Sequence, residues 1–291
     1  MREEHMTKVF EPIDSTWCPG CGDFAVLSSL RKASTDLEIK TENLVMVTGI
    51  GCSGGIQNFL PNYGYHALHG RLLPTATGIK LANPKLTVIA AGGDGDAYAI
   101  GMGHFMHTLR RNVSIVYVVM NNETYGLTKG QPSPTSKPGF EGNVEEPFDA
   151  ALAALAVRAT TFIARGFSGK PDQLTALLKQ AIEHAQQGKG LAFLEVLSPC
   201  VTFNDTYKLW RQITQDVAEQ DDYNPNDRIR MISIVLKVLE SDRIPIGLIF
   251  QGDGISYEKK VLPNLENAPV NTDIDIKKNL NAYKEILTLF K

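Results

Sequence analysis

Two apolar runs constrain this chain more than any other feature. Residues 86–91 and 114–120 are short, rich in Val, Ile and Ala, and stop at polar turns. One turn reads Gly-Gly-Asp-Gly-Asp from Gly92, and the other reads Asn121-Asn122. Short runs that are apolar at nearly every position suit strands buried on both faces. Between them Ala99, Met102, Phe105, Met106 and Leu109 recur at roughly helical spacing. Strand, helix, strand makes a parallel crossover, and its two strand ends fall side by side at the carboxyl edge, where ligands bind. Asp94 and Asn122 therefore converge.

The same alternation extends from 44 to 200. Strands are predicted at 44–48, 86–91, 114–120, 160–164 and 191–197, with helices at 75–81, 99–109, 148–157 and 172–184. That order predicts an α/β fold, a doubly wound and mostly parallel sheet. Before it, a helix starts at Asp23 with Phe24, Leu27, Leu30 and Ala33 facing inward. After it, Asn226 caps a helix over 227–240, a short strand covers 245–250, and a helix covers 276–291. Three parts are expected: a polar arm at 1–16, the α/β domain at 17–211, and an extension at 212–291 that packs on the domain or on a partner. The Pro- and Gly-rich stretch 129–147 reads as a lid or a partner-facing loop.

Net charge is −3, which offers nothing to nucleic acid or an anionic membrane. No run approaches the roughly 18 apolar residues of a spanning helix. The N-terminus lacks a signal-peptide core, so a cytoplasmic location is expected.

The carboxyl edge suits magnesium carrying a diphosphate. Mg²⁺ takes hard oxygen ligands and few protein groups when phosphates supply the rest. Asp94, the Asn122 amide oxygen and a backbone carbonyl just beyond would serve. Gly93 and Gly95 let the chain approach an anion at a helix N-terminus. The bland alternative is an Asp at a helix cap and two Asn in a turn. Gly49 to Gly54 matches a dinucleotide fingerprint, but residues 59–64 interrupt any following helix and no acid lies between Glu42 and Asp94, so that reading is rejected. His66 and His69 precede Gly70-Arg71. They are either ordinary core or surface residues or part of the site, with Arg71 as an anion contact.

Four cysteines remain: Cys18, Cys21, Cys52 and Cys200. Disulfides are not expected in a cytosolic chain of this size. Cys18 and Cys21 form a Cys-x-x-Cys, while Cys52 and Cys200 follow strands and share the edge with Asp94. A cubane iron–sulfur cluster, a zinc site, a redox dithiol and buried structural thiols all remain open on the residues alone.

Taken together, these motifs resemble a known family. Gly-Asp-Gly followed by Asn-Asn resembles the diphosphate motif of thiamine diphosphate enzymes, which implies Asp94, Asn122 and the Thr124 carbonyl as Mg²⁺ ligands. With Trp-Cys-Pro-Gly-Cys-Gly, Gly-Ile-Gly-Cys-Ser-Gly, His-Gly-Arg, Tyr-Gly-Leu-Thr-Lys-Gly-Gln and Pro-Cys, residues 15–211 resemble the thiamine-binding β subunit of 2-oxoacid:ferredoxin oxidoreductases. The resemblance implies the thiamine diphosphate-binding fold of the diphosphate type. It implies one four-iron, four-sulfur cluster on Cys18, Cys21, Cys52 and Cys200. Thiamine diphosphate contacts are implied at Gly51, Cys52, Ser53, His69, Gly70, Arg71, Gly93, Asp94, Gly95, Asp96 and Asn122, and at Tyr125, Gly126, Leu127 and Thr128. His69 and Leu127 stand as the catalytic candidates.

The reaction so implied is oxidative decarboxylation of a 2-oxoacid with coenzyme A, electrons passing to ferredoxin, or its reverse. An α subunit supplies the activating Glu, and αβ units pair as a dimer. Residues 125–128 and the short chain resemble members that accept 2-oxoglutarate. Gly55 stands where some broad-specificity relatives carry Lys, so another cation must meet a distal carboxylate. Pyruvate is the second choice, and a non-catalytic iron–sulfur or zinc scaffold that binds a phosphate ligand is the reading from another class.

Overall fold

A computed structural model of the chain describes residues 13–262, 268–273 and 280–289. In chain order it runs α1 (Asp23–Asp36), β1 (Leu44–Thr48), β2 (Tyr63–His66), α2 (Leu72–Ala82), β3 (Thr87–Gly93), α3 (Met102–Arg111), β4 (Val116–Asn121), α4 (Ala150–Ala156), β5 (Phe162–Phe167) and α5 (Pro171–Gln186). It continues through β6 (Ala192–Leu197), α6 (Tyr207–Ile213), β7 (Thr214–Asp216), α7 (Arg228–Glu240), β8 (Ile244–Gln251), α8 (Tyr257–Val261) and α9 (Leu280–Thr288).

Eight strands form one sheet in the order β2-β1-β3-β4-β6-β5-β8-β7. Every pairing is parallel except β5 with β8. The central strands β3, β4 and β6 are buried along almost their whole length, as a parallel sheet covered on both faces requires. One apolar layer gathers Leu72, Phe105, Leu109 and Leu155, and the other gathers Val26, Leu30, Leu178 and Ile182. In α1 the inward set is Val26, Leu27, Leu30 and Ala33. Phe24, expected inside, is 38% exposed and stacks edge-on against Trp17 instead. One turn into a helix the inward stripe has not yet closed over it.

Other boundaries moved for local reasons. The predicted helix over 99–109 starts with a π turn, Asp96–Ile100, before α3 takes over. The strand expected at 160–164 lies at Phe162–Phe167. Asn226 does not cap α7; the Asp227 carboxylate accepts from Arg230 N at 3.1 Å. β2 was not foreseen, because Tyr63–His66 is an exposed edge strand with no buried face to give it a pattern. The strand expected at 245–250 joins the main sheet antiparallel to β5. Of the expected helix over 276–291, residues 276–279 and 290–291 lie outside the described residues, as do 1–12 of the N-terminal arm.

His184 on α5 gives the fold a pH dependence. Thr161 Oγ1 already donates to Asn112 Oδ1 at 3.1 Å, so His184 Nε2 donates to that hydroxyl at 2.9 Å. Burial first, and Lys189 second, push the imidazole from 6.5 down to about 4. The unfolded chain therefore takes up this proton first. Stability is complete above about pH 6.5 and falls by about 1.4 kcal/mol per pH unit towards pH 4. Thermal melts should decline over that window in the native chain and flatten in His184→Gln. An identical decline in both would reject the assignment.

Candidate functional site

The carboxyl ends of β1, β3, β4 and β6 deliver Cys52, Asp94, Asn122 and Cys200 to one edge of the sheet. In-register pairing makes this geometry unavoidable: Thr48 lies opposite Ala91, Gly93 opposite Met120, and Asn121 opposite Leu197. Two adjoining cavities open there.

The smaller cavity, about 160 Å³, is lined by Gly51, Cys52, Ser53, His69, residues 93–96, Asn122 and residues 124–128. The three groups expected to hold magnesium, Asp94, Asn122 and Thr124, all lie on its wall. Asp94 is 2% exposed, and its Oδ2 accepts from Ser133 Oγ at 2.5 Å and Thr135 Oγ1 at 2.6 Å. Burial pushes its carboxyl up to about 6 even though those two hydroxyls and nearby backbone amides favour the anion. A carboxylate buried at that cost has the chemistry of a cation ligand. Asn122 Oδ1 accepts from Thr124 N at 3.1 Å, which fixes the Asn–Thr turn facing Asp94. Gly95 packs under the Tyr125 ring, whose hydroxyl donates to Gly95 O at 3.3 Å. Around Asp94 the cavity wall is thus backbone, an amide and hydroxyls, a cradle that fits a metal-bound diphosphate.

Asp96 does more than line the cavity. Its Oδ1 accepts from Ile50 N at 3.0 Å, Gly70 N at 2.8 Å and His69 Nδ1 at 2.6 Å. One carboxylate so ties the loop after β1, the His-Gly-Arg turn and the turn after β3. It fixes the His69 tautomer with the proton on Nδ1, leaving Nε2 as an acceptor. Gly70 has φ +67°, and a Cβ there would meet Ile100 and Gly101 N. Gly70 and Arg71 do not line the cavity. Arg71 Nη1 donates to Ile100 O at 3.1 Å and to Gly70 O at 3.3 Å, so its guanidinium braces the turn rather than facing an anion. Side-chain exposure at His69 is 41%, and Leu127 is 61% exposed.

The larger cavity, about 420 Å³, is lined by all four cysteines with Trp17, His66 and Phe203. None is in a disulfide. Trp17 Nε1 donates to Cys52 O at 2.7 Å and fixes the loop that carries that thiol. Among the described residues no three His, Cys, Asp or Glu side chains converge on one ion-sized point. The thiols instead surround a space, a donor set that fits a many-atom cluster better than a single zinc. Burial raises the Cys21 and Cys52 thiols, with Asp23 adding to both.

The two cavities share a wall of Asp23, Gly51, Cys52, Asn122, Gly126 and Leu127. Gly126 is its thinnest part. A Cβ there would sit 3.4 Å from Cys200 Sγ, 3.8 Å from Asn122 Nδ2 and 3.9 Å from Cys52 Sγ.

Sequence reasoning missed the groups behind Asp94. Thr135 Oγ1 also donates to Asn121 Oδ1 at 2.9 Å, and Asn121 Nδ2 donates to Glu195 Oε1 at 3.1 Å. Tyr98 OH reaches the same oxygen at 3.1 Å, and Arg165 Nε donates to Glu195 Oε2 at 2.6 Å. The signal was present: Arg165 and Glu195 are charges inside two otherwise apolar strands, and β5–β6 register sets them opposite each other. Glu123, beside Asn122, belongs to a different cavity with Lys137, Arg165 and Glu195. Burial pushes its carboxyl up to about 7, with Lys137 opposing.

Comparison with known proteins shows the family of the domain that carries these cavities. Residues 49–196 match the family model of the thiamine pyrophosphate enzyme C-terminal TPP-binding domain, and residues 200–266 match the C-terminal model of the pyruvate ferredoxin oxidoreductase β subunit. A 2-oxoacid:ferredoxin oxidoreductase subunit beta of Saccharolobus solfataricus is 42% identical over 287 residues, 89% of this chain and 90% of that protein. A 2-oxoglutarate synthase subunit KorB of Archaeoglobus fulgidus is 42% identical over 198 residues, 66% of this chain and 72% of that protein. Among solved structures, 2-oxoglutarate:ferredoxin oxidoreductase from Magnetococcus marinus, with 2-oxoglutarate, coenzyme A and succinyl-CoA bound, superposes with a TM-score of 0.82 at 33% identity, covering 94% of both chains.

Proposed function

This chain belongs to the β-subunit family of 2-oxoacid:ferredoxin oxidoreductases and carries that family's thiamine-binding domain, and on that premise we propose that it works on 2-oxoglutarate. With an α subunit it converts 2-oxoglutarate, coenzyme A and two oxidised ferredoxins to succinyl-CoA, CO₂, two reduced ferredoxins and one proton, reversibly. Residues 17–211 hold the cofactors, and 212–291 support the domain or the partner. The complex is a cytoplasmic dimer of αβ units.

The observation that carries this reading is the shared wall between the acid-and-amide cavity and the cysteine cavity. Thiamine diphosphate, when bound, supplies an electron sink for the carbon that loses CO₂. Asp94, Asn122 and the Thr124 carbonyl would hold Mg²⁺ for the diphosphate. Cys18, Cys21, Cys52 and Cys200 would hold a four-iron, four-sulfur cluster in the adjoining cavity. Ile50 and Leu127 line the open side, and His69 Nε2 is left as an acceptor towards the substrate. Choice of 2-oxoglutarate is supported by the names of the relatives and by residues 125–128. Among the described residues no Lys or Arg lines either cavity, so the cation for the distal carboxylate would come from the α subunit.

The test is a kinetic comparison on the anaerobically purified complex, which should be brown and contain thiamine diphosphate. We expect kcat/KM for 2-oxoglutarate to exceed that for pyruvate by at least about tenfold, or about 1.4 kcal/mol. The reverse order would make pyruvate the substrate. A colourless complex holding zinc and no thiamine would favour a scaffold.

A further inference from the structure

Asp23 lies outside both proposed ligand sets, yet it is the acidic side chain that lines both cavities. It opens α1 two residues after Cys21 and is 4% exposed. Gly22 brings it there. A Cβ at Gly22 would fall 2.6 Å from Ser198 Oγ and 2.8 Å from Pro199 N, so the Cys-x-x-Cys turn closes on the end of β6 only without one. Gly22 N donates to Pro199 O at 3.1 Å, and Ser198 Oγ donates to Asp23 Oδ1 at 2.5 Å. Cys200 follows two residues later.

The carboxylate is therefore packed among the loops that carry Cys21, Cys52 and Cys200. No Lys or Arg lines the cysteine cavity, and Asp23 forms no ion pair among the described residues.

We infer that Asp23 is a potential-setting residue, whose negative charge beside the four thiols lowers the reduction potential of the cluster they hold. The inference rests on the cluster reading given above. Reduction adds an electron to a thiolate-ligated group that is already anionic. A buried carboxylate lining the same cavity, in a site of low dielectric, opposes that electron. A low potential is what a donor needs when its acceptor is another iron–sulfur protein. Asp23 touches the site through charge rather than through a bond to iron, so it is a tuning group and not a ligand.

The experiment is a redox titration of the full chain, co-purified anaerobically with its partner subunit at pH 8, with EPR of the reduced cluster as the readout. Asp23→Asn keeps shape and hydrogen bonding and removes the charge. It should raise the equilibrium constant for one-electron reduction at least about tenfold, or about 59 mV. Asp23→Glu keeps the charge and should stay within about threefold of the native value. An unchanged potential in Asp23→Asn with full iron content would overturn the inference. So would an equal rise in both variants, which would trace the shift to packing. Loss of iron from Asp23→Asn overturns it as well, since the residue would then be needed to build the cluster. A native complex without iron fails the cluster reading itself, and this inference with it.

Discussion

Asp94→Ala should lose thiamine diphosphate binding while retaining its iron. Asp94 is one of three near-fully buried carboxylates on the cavity wall, beside Asp23, which accepts from Ser198, and Asp96, which is taken up by Ile50, His69 and Gly70. Removing it takes away the negative charge that holds the cation and leaves the Ser133 and Thr135 hydroxyls without their acceptor. Breaking one side of a buried charge pair costs about 3–5 kcal/mol, so affinity should fall by at least about 10²-fold. Asn122→Ala removes a neutral ligand and should cost about tenfold. Cys18, Cys21 and Cys200 line only the far side of the shared wall, and Cys52 lies within it, so the brown colour should survive both changes. Calorimetry with thiamine diphosphate and Mg²⁺ measures this directly. Native affinity in Asp94→Ala would move the metal site elsewhere.

The chain on its own should bind cofactor and still not turn over. Thiamine reacts when a carboxylic acid hydrogen-bonds its aminopyrimidine ring, and the protein's part is to hold that acid in place. Among the described residues no Glu lines the 160 Å³ cavity. Glu123 is next in sequence to Asn122 but lines the separate cavity with Arg165 and Glu195. On the proposed function, the acid arrives on the α subunit. Viologen reduction by the reconstituted chain alone should fall at least about 10³-fold below that of the co-expressed complex, roughly 4 kcal/mol of barrier. Comparable rates would mean that an acid on this chain suffices.

Most of the sheet was readable from the sequence because parallel strands buried on both faces announce themselves as apolar runs. The edge positions of Cys52, Asp94, Asn122 and Cys200 follow from those runs alone. What escaped has no such pattern. β2 is an exposed edge strand, and the sheet order that sets β8 against β5 depends on long-range packing. Phe24 and Asn226 were each misread at a helix terminus, where one residue of register changes which side chain faces inward or caps. Ser133 and Thr135 lie in a loop whose composition suggested a lid or a partner-facing segment, and nothing local says that the loop folds back onto Asp94. Arg71 was read from its charge, but backbone carbonyls claim its guanidinium.

The thin wall at Gly126 couples traits that other enzymes keep apart. Cys52, Cys200 and Asn122 all lie within 4 Å of the position its missing methyl would occupy. A side chain grafted there meets two thiols and an amide of the neighbouring pocket at once, and anything beyond a methyl must find room among them. Leu127 likewise faces both cavities. On the proposed function, a lineage drifting towards a new substrate through these positions would retune its electron exit at the same time. Innovation in specificity should therefore enter from residues such as Ile50, which line one cavity only, or from the partner chain, and Gly126 and Leu127 should be among the slowest positions of the molecule to change.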